Sequence, residues 1–360
     1  MISTDPVSPS CLCAFVVISY HEESTLAFTP PFHYSLSIHE IQTGTLMETR
    51  SFFRFLGFLT PLWLIVSCFG PPEPPPSLDE LRNATFNGLD RGTRDVTLRN
   101  GVWADSVARR DSSRMRVQLV DDFLVSGDLD SNGTMEAIVL LTETFGGAEI
   151  YTYMAVATRE DGKVVNPGTE LLGDRTQVRG IRIKDGTLYL DIVEAAPFDQ
   201  LCCPGELVTK EWKLLPKGFA LQTLRGHGRM SPEVMGGSEW VLEQWSLNEH
   251  LQPGIEVTLA YQENRFVGKS GCNQYSASVT SGMFAGDISV NSPVSTRMAC
   301  PESTMIVESR FLKSLDSATR FGFLNGRLAI TTSGDDTVET LIFSKRVNDQ
   351  TGTSVAIKQE

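Results

Sequence analysis

From Ser77 onward the chain breaks into short runs of alternating apolar and polar residues, each closed by turn formers, and this period of two constrains the fold more than any other feature. Alternation at that spacing buries one side of each run, as β-strands do and helices do not. Runs at Asp95–Arg99, Arg116–Val120, Ile150–Ala157, Leu188–Val193 and Val208–Leu214 read as strands. Ala137–Leu141 is continuously apolar, which predicts a strand covered on both faces. Lys184-Asp185-Gly186-Thr187 carries the Asp-Gly pair of a tight hairpin. Ahead of these runs, Ser77-Leu78-Asp79-Glu80 has the spacing of a capping box and predicts a short helix from Leu78 towards Asn83. Residues 77–225 therefore predict one β-rich domain, 226–236 a linker around Gly226-His227-Gly228, and 237–346 a second domain. The expected fold class is mainly β or α+β, as two small antiparallel β-rich domains.

The N-terminal side is different. Residues 52–67 place Arg54, after Arg50, before an apolar stretch from Phe55 to Val66 and small Ser67. That stretch is short of the roughly 20 apolar residues a spanning helix needs. A charged start, a short apolar middle and a small-residue exit are the layout of a secretory signal, here over 47–67. Its last residues, Ile65-Val66-Ser67-Cys68, resemble the bacterial lipobox. That resemblance implies acylation of Cys68, which becomes the first residue of the mature chain. Phe69 follows, not the Asp that resembles an inner-membrane retention signal, so in a cell with two membranes the expected location is the cell envelope, on the outer membrane facing the periplasm. Gly70-Pro71-Pro72-Glu73-Pro74-Pro75-Pro76 follows, and a stretch so rich in proline is a semi-rigid tether, over 68–76. Residues 1–46 have no clear periodicity, and are expected to be an upstream extension from a start assigned too early, with Met47 the true start.

Composition enters through charge. A net charge of −13 excludes a nucleic-acid surface, which needs basic residues. It also excludes a peripheral basic contact with anionic lipid, so membrane attachment falls to the anchor. Four cysteines lie beyond Cys68, an even number suited to an oxidising compartment. Cys272 and Cys300 lie in one domain and are the most natural pair. Cys202 and Cys203 are adjacent, and either form a vicinal disulfide or stay reduced. No His lies near them and no second Cys pair sits at zinc-ligand spacing.

The sharpest local motif is Asp128-Leu129-Asp130-Ser131-Asn132-Gly133-Thr134-Met135-Glu136. Oxygen-bearing side chains at Asp128, Asp130 and Asn132 alternate along the loop, and Glu136 follows a glycine turn. Calcium takes six to eight hard oxygens and favours this arrangement. The loop is similar to the DxDxDG loops of calcium-binding repeats, although Glu136 is at the ninth place, not the twelfth. Two readings stand: a structural Ca2+ that pins two strands, or an Asx-rich turn whose side chains bond their own backbone.

The C-terminal domain orders its residues distinctively. It opens on Gly237-Ser238-Glu239-Trp240-Val241-Leu242, with strands at Glu256–Tyr261 and Asn264–Gly268. Gly271-Cys272-Asn273-Gln274-Tyr275 and Thr296-Arg297-Met298-Ala299-Cys300 follow. A helix is expected from about Ser303 to Ser317, with Ile306, Phe311, Leu312 and Leu315 near one face. Gly326-Arg327-Leu328-Ala329-Ile330 and Thr340-Leu341-Ile342-Phe343 close it. This order resembles the META domain family (DUF306, heat-inducible HslJ-like). The resemblance implies a small antiparallel β domain with one packed helix. It also implies a link to heat-shock response and to resistance to some antibiotics, with no agreed activity. Cys272 and Cys300 are expected to cross-link, Gly271 to permit a tight turn, Asn273 to bond loop backbone, and Trp240, Tyr275 and Phe311 to be core; Thr296 and Met298 complete the motif.

No catalytic residues are assigned. A Cys nucleophile needs an activating base. Only His227 and His250 remain in the mature chain, and neither has a convincing Ser or Asp arrangement around it. There is no P-loop, nucleophile elbow or dinucleotide fingerprint. Glu239 and Glu243 beside two Trp suggest a sugar patch, but solvated surface is the simpler reading. The expected function is therefore a non-enzymatic envelope protein with a binding or stress-response role and an unknown partner or ligand. The alternative is a hydrolase of envelope polymers using acids of the first β domain.

Overall fold

The structure, a computed structural model, describes residues 73–106, 114–147, 149–200, 203–216, 218–246, 249–334 and 338–346. The upstream extension, the signal, Cys68, most of the tether, Cys202 and the tail at 347–360 lie outside the described residues.

The body starts where the capping box expects it. In α1 (Leu78–Leu81), Ser77 Oγ accepts from the Glu80 backbone N–H, and the Glu80 carboxylate accepts from the Ser77 N–H at 2.8 Å. A small hairpin follows, β1 (Thr85–Gly88) with β2 (Arg94–Thr97), around the short turn α2 (Leu89–Gly92). Next comes a five-stranded antiparallel sheet in the order β3 (Val102–Ala104), β4 (Arg116–Gly127), β5 (Glu136–Thr144), β6 (Tyr151–Glu160), β7 (Lys163–Asp174). A four-stranded sheet holds β8 (Gln177–Lys184), β9 (Thr187–Glu194), β10 (Glu206–Leu215) and β11 (Gly218–Arg229), in simple up-and-down order. The turn from β8 to β9 is the expected Asp-Gly one, with Asp185 and Gly186 at φ of 51° and 65°.

These two sheets face each other. Ile138, Leu140, Met154 and Val156 of the first meet Val178, Leu188, Leu190, Ile192, Val208 and Trp212 of the second. The other face of β5, with Ala137, Val139 and Leu141, is covered by Leu81, Phe86, Leu89, Val96 and Leu98. Both faces of β5 are thus buried, which explains its unbroken apolar run. Parity along β9 carries the layering further: Val193 points away from the sandwich and, with Leu207, joins the core of the C-terminal domain.

That domain forms a sheet of its own. Its strands are β12 (Glu239–Ser246), β13 (Glu249–His250), β14 (Thr258–Gln262), β15 (Arg265–Lys269), β16 (Gln274–Ser281), β17 (Ile288–Ser295), β18 (Ala318–Leu324), β19 (Arg327–Ser333) and β20 (Val338–Lys345). The path runs β17-β16-β15-β14-β12-β20-β19-β18, with β13 beside β12. One helix, α3 (Glu302–Asp316), packs on it through Val307, Phe311 and Leu315. The chain is mostly β with antiparallel sheets, as expected. Ile306 departs from its expected place on the helix's buried face: it is 62% exposed, and Val307 turns inward instead.

The linker region also differs from expectation. β11 continues through Gly226-His227-Gly228 to Arg229, and a 3-10 turn at Pro232–Met235 follows. The glycines suggested loop, yet pairing of Val208 with Gly226 and Leu207 with Gly228 keeps them in the ladder. The β18–β19 hairpin then ties the halves together. The Phe323 N–H donates to Gln177 Oε1 and the Gly326 N–H to the Val178 carbonyl, at 2.8 and 2.9 Å.

Candidate functional site

Two places gather the residues singled out by sequence. The first is the loop from β4 to β5. Gly127 pairs with Glu136 across the ladder, so residues 128–135 form a closed excursion. Ser131 and Gly133 take φ of 62° and 86°, the left-handed region that glycine adopts without cost. Asp128, Asp130 and Glu136 each bring a carboxylate oxygen within 4.8 Å of the others. Glu136 is 1% exposed. Its Oε2 accepts from the Leu129 N–H at 2.7 Å, and its Oε1 has only long contacts, 3.4 and 3.5 Å, from the Thr134 and Thr158 hydroxyls. Burial, with help from Asp130 and Asp128, pushes its carboxyl above the usual range, against the Leu129 hydrogen bond. Asn132 sits between: Asp130 Oδ1 accepts from its N–H at 3.1 Å, and its own Oδ1 accepts from Thr134 N–H at 2.7 Å. Asp128 Oδ2 accepts from Gly133 N–H at 3.1 Å, while Asp128 Oδ1 is buried with no hydrogen-bond partner.

The second place is the end of the C-terminal sheet. Cys272 and Cys300 are disulfide-bonded, their Cα atoms 6.1 Å apart. Gly271, at φ 106°, makes the bend that sequence expected of it. Asn273 bonds the neighbouring loop from both ends of its amide: Oδ1 accepts from the Met298 N–H and the Thr296 hydroxyl, each at 2.7 Å. Its Nδ2 donates to the Met298 carbonyl at 3.3 Å. The other partner of Asn273 is Glu308 on α3, which sequence reasoning missed. Glu308 is buried and accepts from Asn273 N–H and Nδ2 and from the Ser270 hydroxyl. A signal for it existed: Glu308 precedes Phe311 by three residues and Leu315 by seven, on the buried stripe of the helix. Trp240 and Tyr275 are core, and the Tyr275 hydroxyl donates to the Thr258 carbonyl at 3.0 Å. Both Trp240 and Trp245 are buried, so Glu239 and Glu243 flank no exposed aromatic ring. Met298 is exposed, at 57%, and so is Thr296.

Cys203 is also disulfide-bonded, and its Sγ accepts a hydrogen bond from Arg320 at 3.1 Å. His227 has polar neighbours that the sequence did not show, with Nε2 2.8 Å from Thr209 Oγ1, which in turn donates to Asp191 at 2.5 Å. The hydroxyl stands in the middle of this row. A base that relays a proton must stand between nucleophile and acid, so the row does not have the order of a hydrolytic triad. An acidic pocket of about 350 Å3 lies beside Asp174, Thr176, Glu194 and Asp199. Its carboxylates are already engaged: Asp174 with Arg175, Glu194 with Lys210, and Asp199 with Arg229. The Arg229 hydrogen bond, first, and the Ala196 and Gly205 N–H groups hold Asp199 below the usual carboxylate range. A general acid needs the opposite shift.

No curated protein matches the chain. A solved structure, the NMR structure of a protein from Burkholderia xenovorans, is similar at 23% identity, over 33% of this chain and 90% of that one, with a TM-score of 0.26. The family model described as META domain matches residues 233–345, which take in β12 to β20, the disulfide and the helix: this part of the chain is a META domain.

Proposed function

We propose that the protein is a non-enzymatic component of the bacterial cell envelope, held on the outer membrane by acylated Cys68 and exposing its META domain to the periplasm for a binding or stress-response role. The Cys272–Cys300 disulfide carries this reading, because such cross-links persist in oxidising compartments and are rare in the cytosol. The tether supports it too. Its end is fixed to the body, with Arg159 Nε donating to the Pro74 carbonyl at 3.0 Å beside an Arg159–Glu80 ion pair. An anchor at Cys68 then holds the sandwich at a short, defined distance from lipid.

Expression of wild type and Cys68→Ser in a bacterial host tests this, with membrane fractionation and incorporation of labelled palmitate as readouts. Wild type is expected to take up label and float with outer membrane; the variant is expected to do neither. A wild-type protein that stays soluble and unlabelled would overturn the anchor. A deletion strain challenged by heat and antibiotics tests the role.

The hydrolase alternative draws on the acidic pocket at Asp174, Glu194 and Asp199. Turnover of a cell-wall polymer by pure protein, lost in Glu194→Gln, would favour it.

A further inference from the structure

We infer that the β4–β5 loop is a calcium site whose ligands are Asp128, Asp130 and Glu136, with the Asn132 side chain at its rim. The inference is independent of how the protein is anchored. The plain-turn reading accounts for part of the loop, since Asp130 and Asn132 do bond neighbouring backbone N–H groups. It leaves Asp128 Oδ1 unexplained. That oxygen exposes less than 1 Å2 and accepts no hydrogen bond. A buried acceptor left unmade is costly, and more so when it belongs to a charged group. Nothing of opposite charge compensates it: among the described residues neither Asp128, Asp130 nor Glu136 forms an ion pair with Lys or Arg. Three carboxylates crowded on one another, one of them on the wholly buried Glu136, are what a divalent cation neutralises.

Size agrees. Oxygens bound to one Ca2+ at about 2.3–2.6 Å are at most about 5 Å apart across the ion. One carboxylate oxygen from each of Asp128, Asp130 and Glu136 lies within 4.8 Å of the other two. Mg2+ is the weaker fit, because it demands a tighter octahedron and sheds water reluctantly. The ion would also act at a junction. A Cβ on Gly186, in the β8–β9 turn, would sit 3.0 Å from Ser131 Oγ and 3.4 Å from the Leu129 carbonyl. The loop therefore leans on the opposite sheet, and an ion in it holds the ends of β4 and β5 together beside that turn.

The test is a titration of purified protein, freed of divalent ions by a chelator, with CaCl2 and separately with MgCl2, followed by calorimetry and thermal unfolding. One Ca2+ per chain is expected, with a dissociation constant of about 0.1–1 mM, the range of extracellular modules. The melting temperature is expected to rise by several degrees and to fall back when chelator is restored. Asp130→Asn, at an exposed position where loss of folding is least expected, should weaken binding about tenfold or more by removing one charged ligand. Asp128→Asn serves as the second, near-isosteric variant. The inference is overturned if wild type shows neither heat nor a melting shift up to about 10 mM Ca2+, well above that range. It is equally overturned if Mg2+ binds as tightly, or if both variants bind Ca2+ as wild type does.

Discussion

Glu308 accepts from Asn273 twice at 2.9 Å, once from the backbone N–H and once from the side-chain amide. The helix thus holds the loop that carries Cys272, and Asn273 passes the constraint on to the Thr296–Met298 segment. With the disulfide, the two motif segments of the META domain are joined both covalently and by a buried polar network.

Removal of that carboxylate should be costly. Glu308→Ala takes the acceptor from the buried Asn273 N–H and leaves Asn273 Nδ2 and the Ser270 hydroxyl only the Met298 and Asn273 carbonyls, and the expected loss is about 2–3 kcal/mol. Glu308→Gln keeps one acceptor and should lose less. Urea unfolding midpoints of the two variants give the comparison.

The disulfide closes a loop with a sequence separation of 28. Chain entropy puts its contribution at about 3–4 kcal/mol. Cys272→Ala/Cys300→Ala, or wild type kept in reductant, should melt well below the oxidised protein; equal melting temperatures would contradict the estimate.

Arg327 binds Asp122 across the two halves of the body and is itself 8% exposed. Burial lowers the pKa of its guanidinium, because the charge is held where water cannot solvate it. Asp122→Ala should cost about 2 kcal/mol, less than the 3–5 of a fully buried pair because Asp122 is partly solvated. The double variant Asp122→Leu/Arg327→Met should regain most of that stability in the same unfolding assay.

Glu80 sets an acid limit. Hydrogen bonds from Ser77 and then Arg159 lower its carboxyl to about 2 from an ordinary 4.5. A lowered carboxylate contributes stability that is full above its unfolded value and disappears as pH falls through its folded one. Stability from this cap should therefore drain between pH 4.5 and about 2. Because Glu80 is part-exposed, the amplitude should be near the usual cap value of about 1 kcal/mol. Melting curves of wild type and Glu80→Gln should differ at neutral pH and converge at the acid end.

Much of this was readable in the sequence because it was local. The box at Ser77 and Glu80, the Asp185-Gly186 turn and the run of β5 each depend on neighbours in the chain. The META segments were readable through the order of their residues, and the family match covers the same region. What sequence hid depends on pairing at a distance. Glu308 meets Asn273 across 35 positions, and Asp191, Thr209 and His227 meet only because β9, β10 and β11 are adjacent. The end of β11, from Gly226 to Arg229, reads as linker because its glycines speak for loop until β10 is beside them. Within the acidic loop the alternating carboxylates were visible, whereas the unpartnered Asp128 oxygen belongs to packing alone.

The most direct test of the envelope assignment is the intact mass of the protein recovered from native membranes without reduction. The expected mass is that of the chain from Cys68, plus acyl groups, less the hydrogens lost to its disulfides. A mass that still contains residues 1–67, or one without acyl groups, would contradict it.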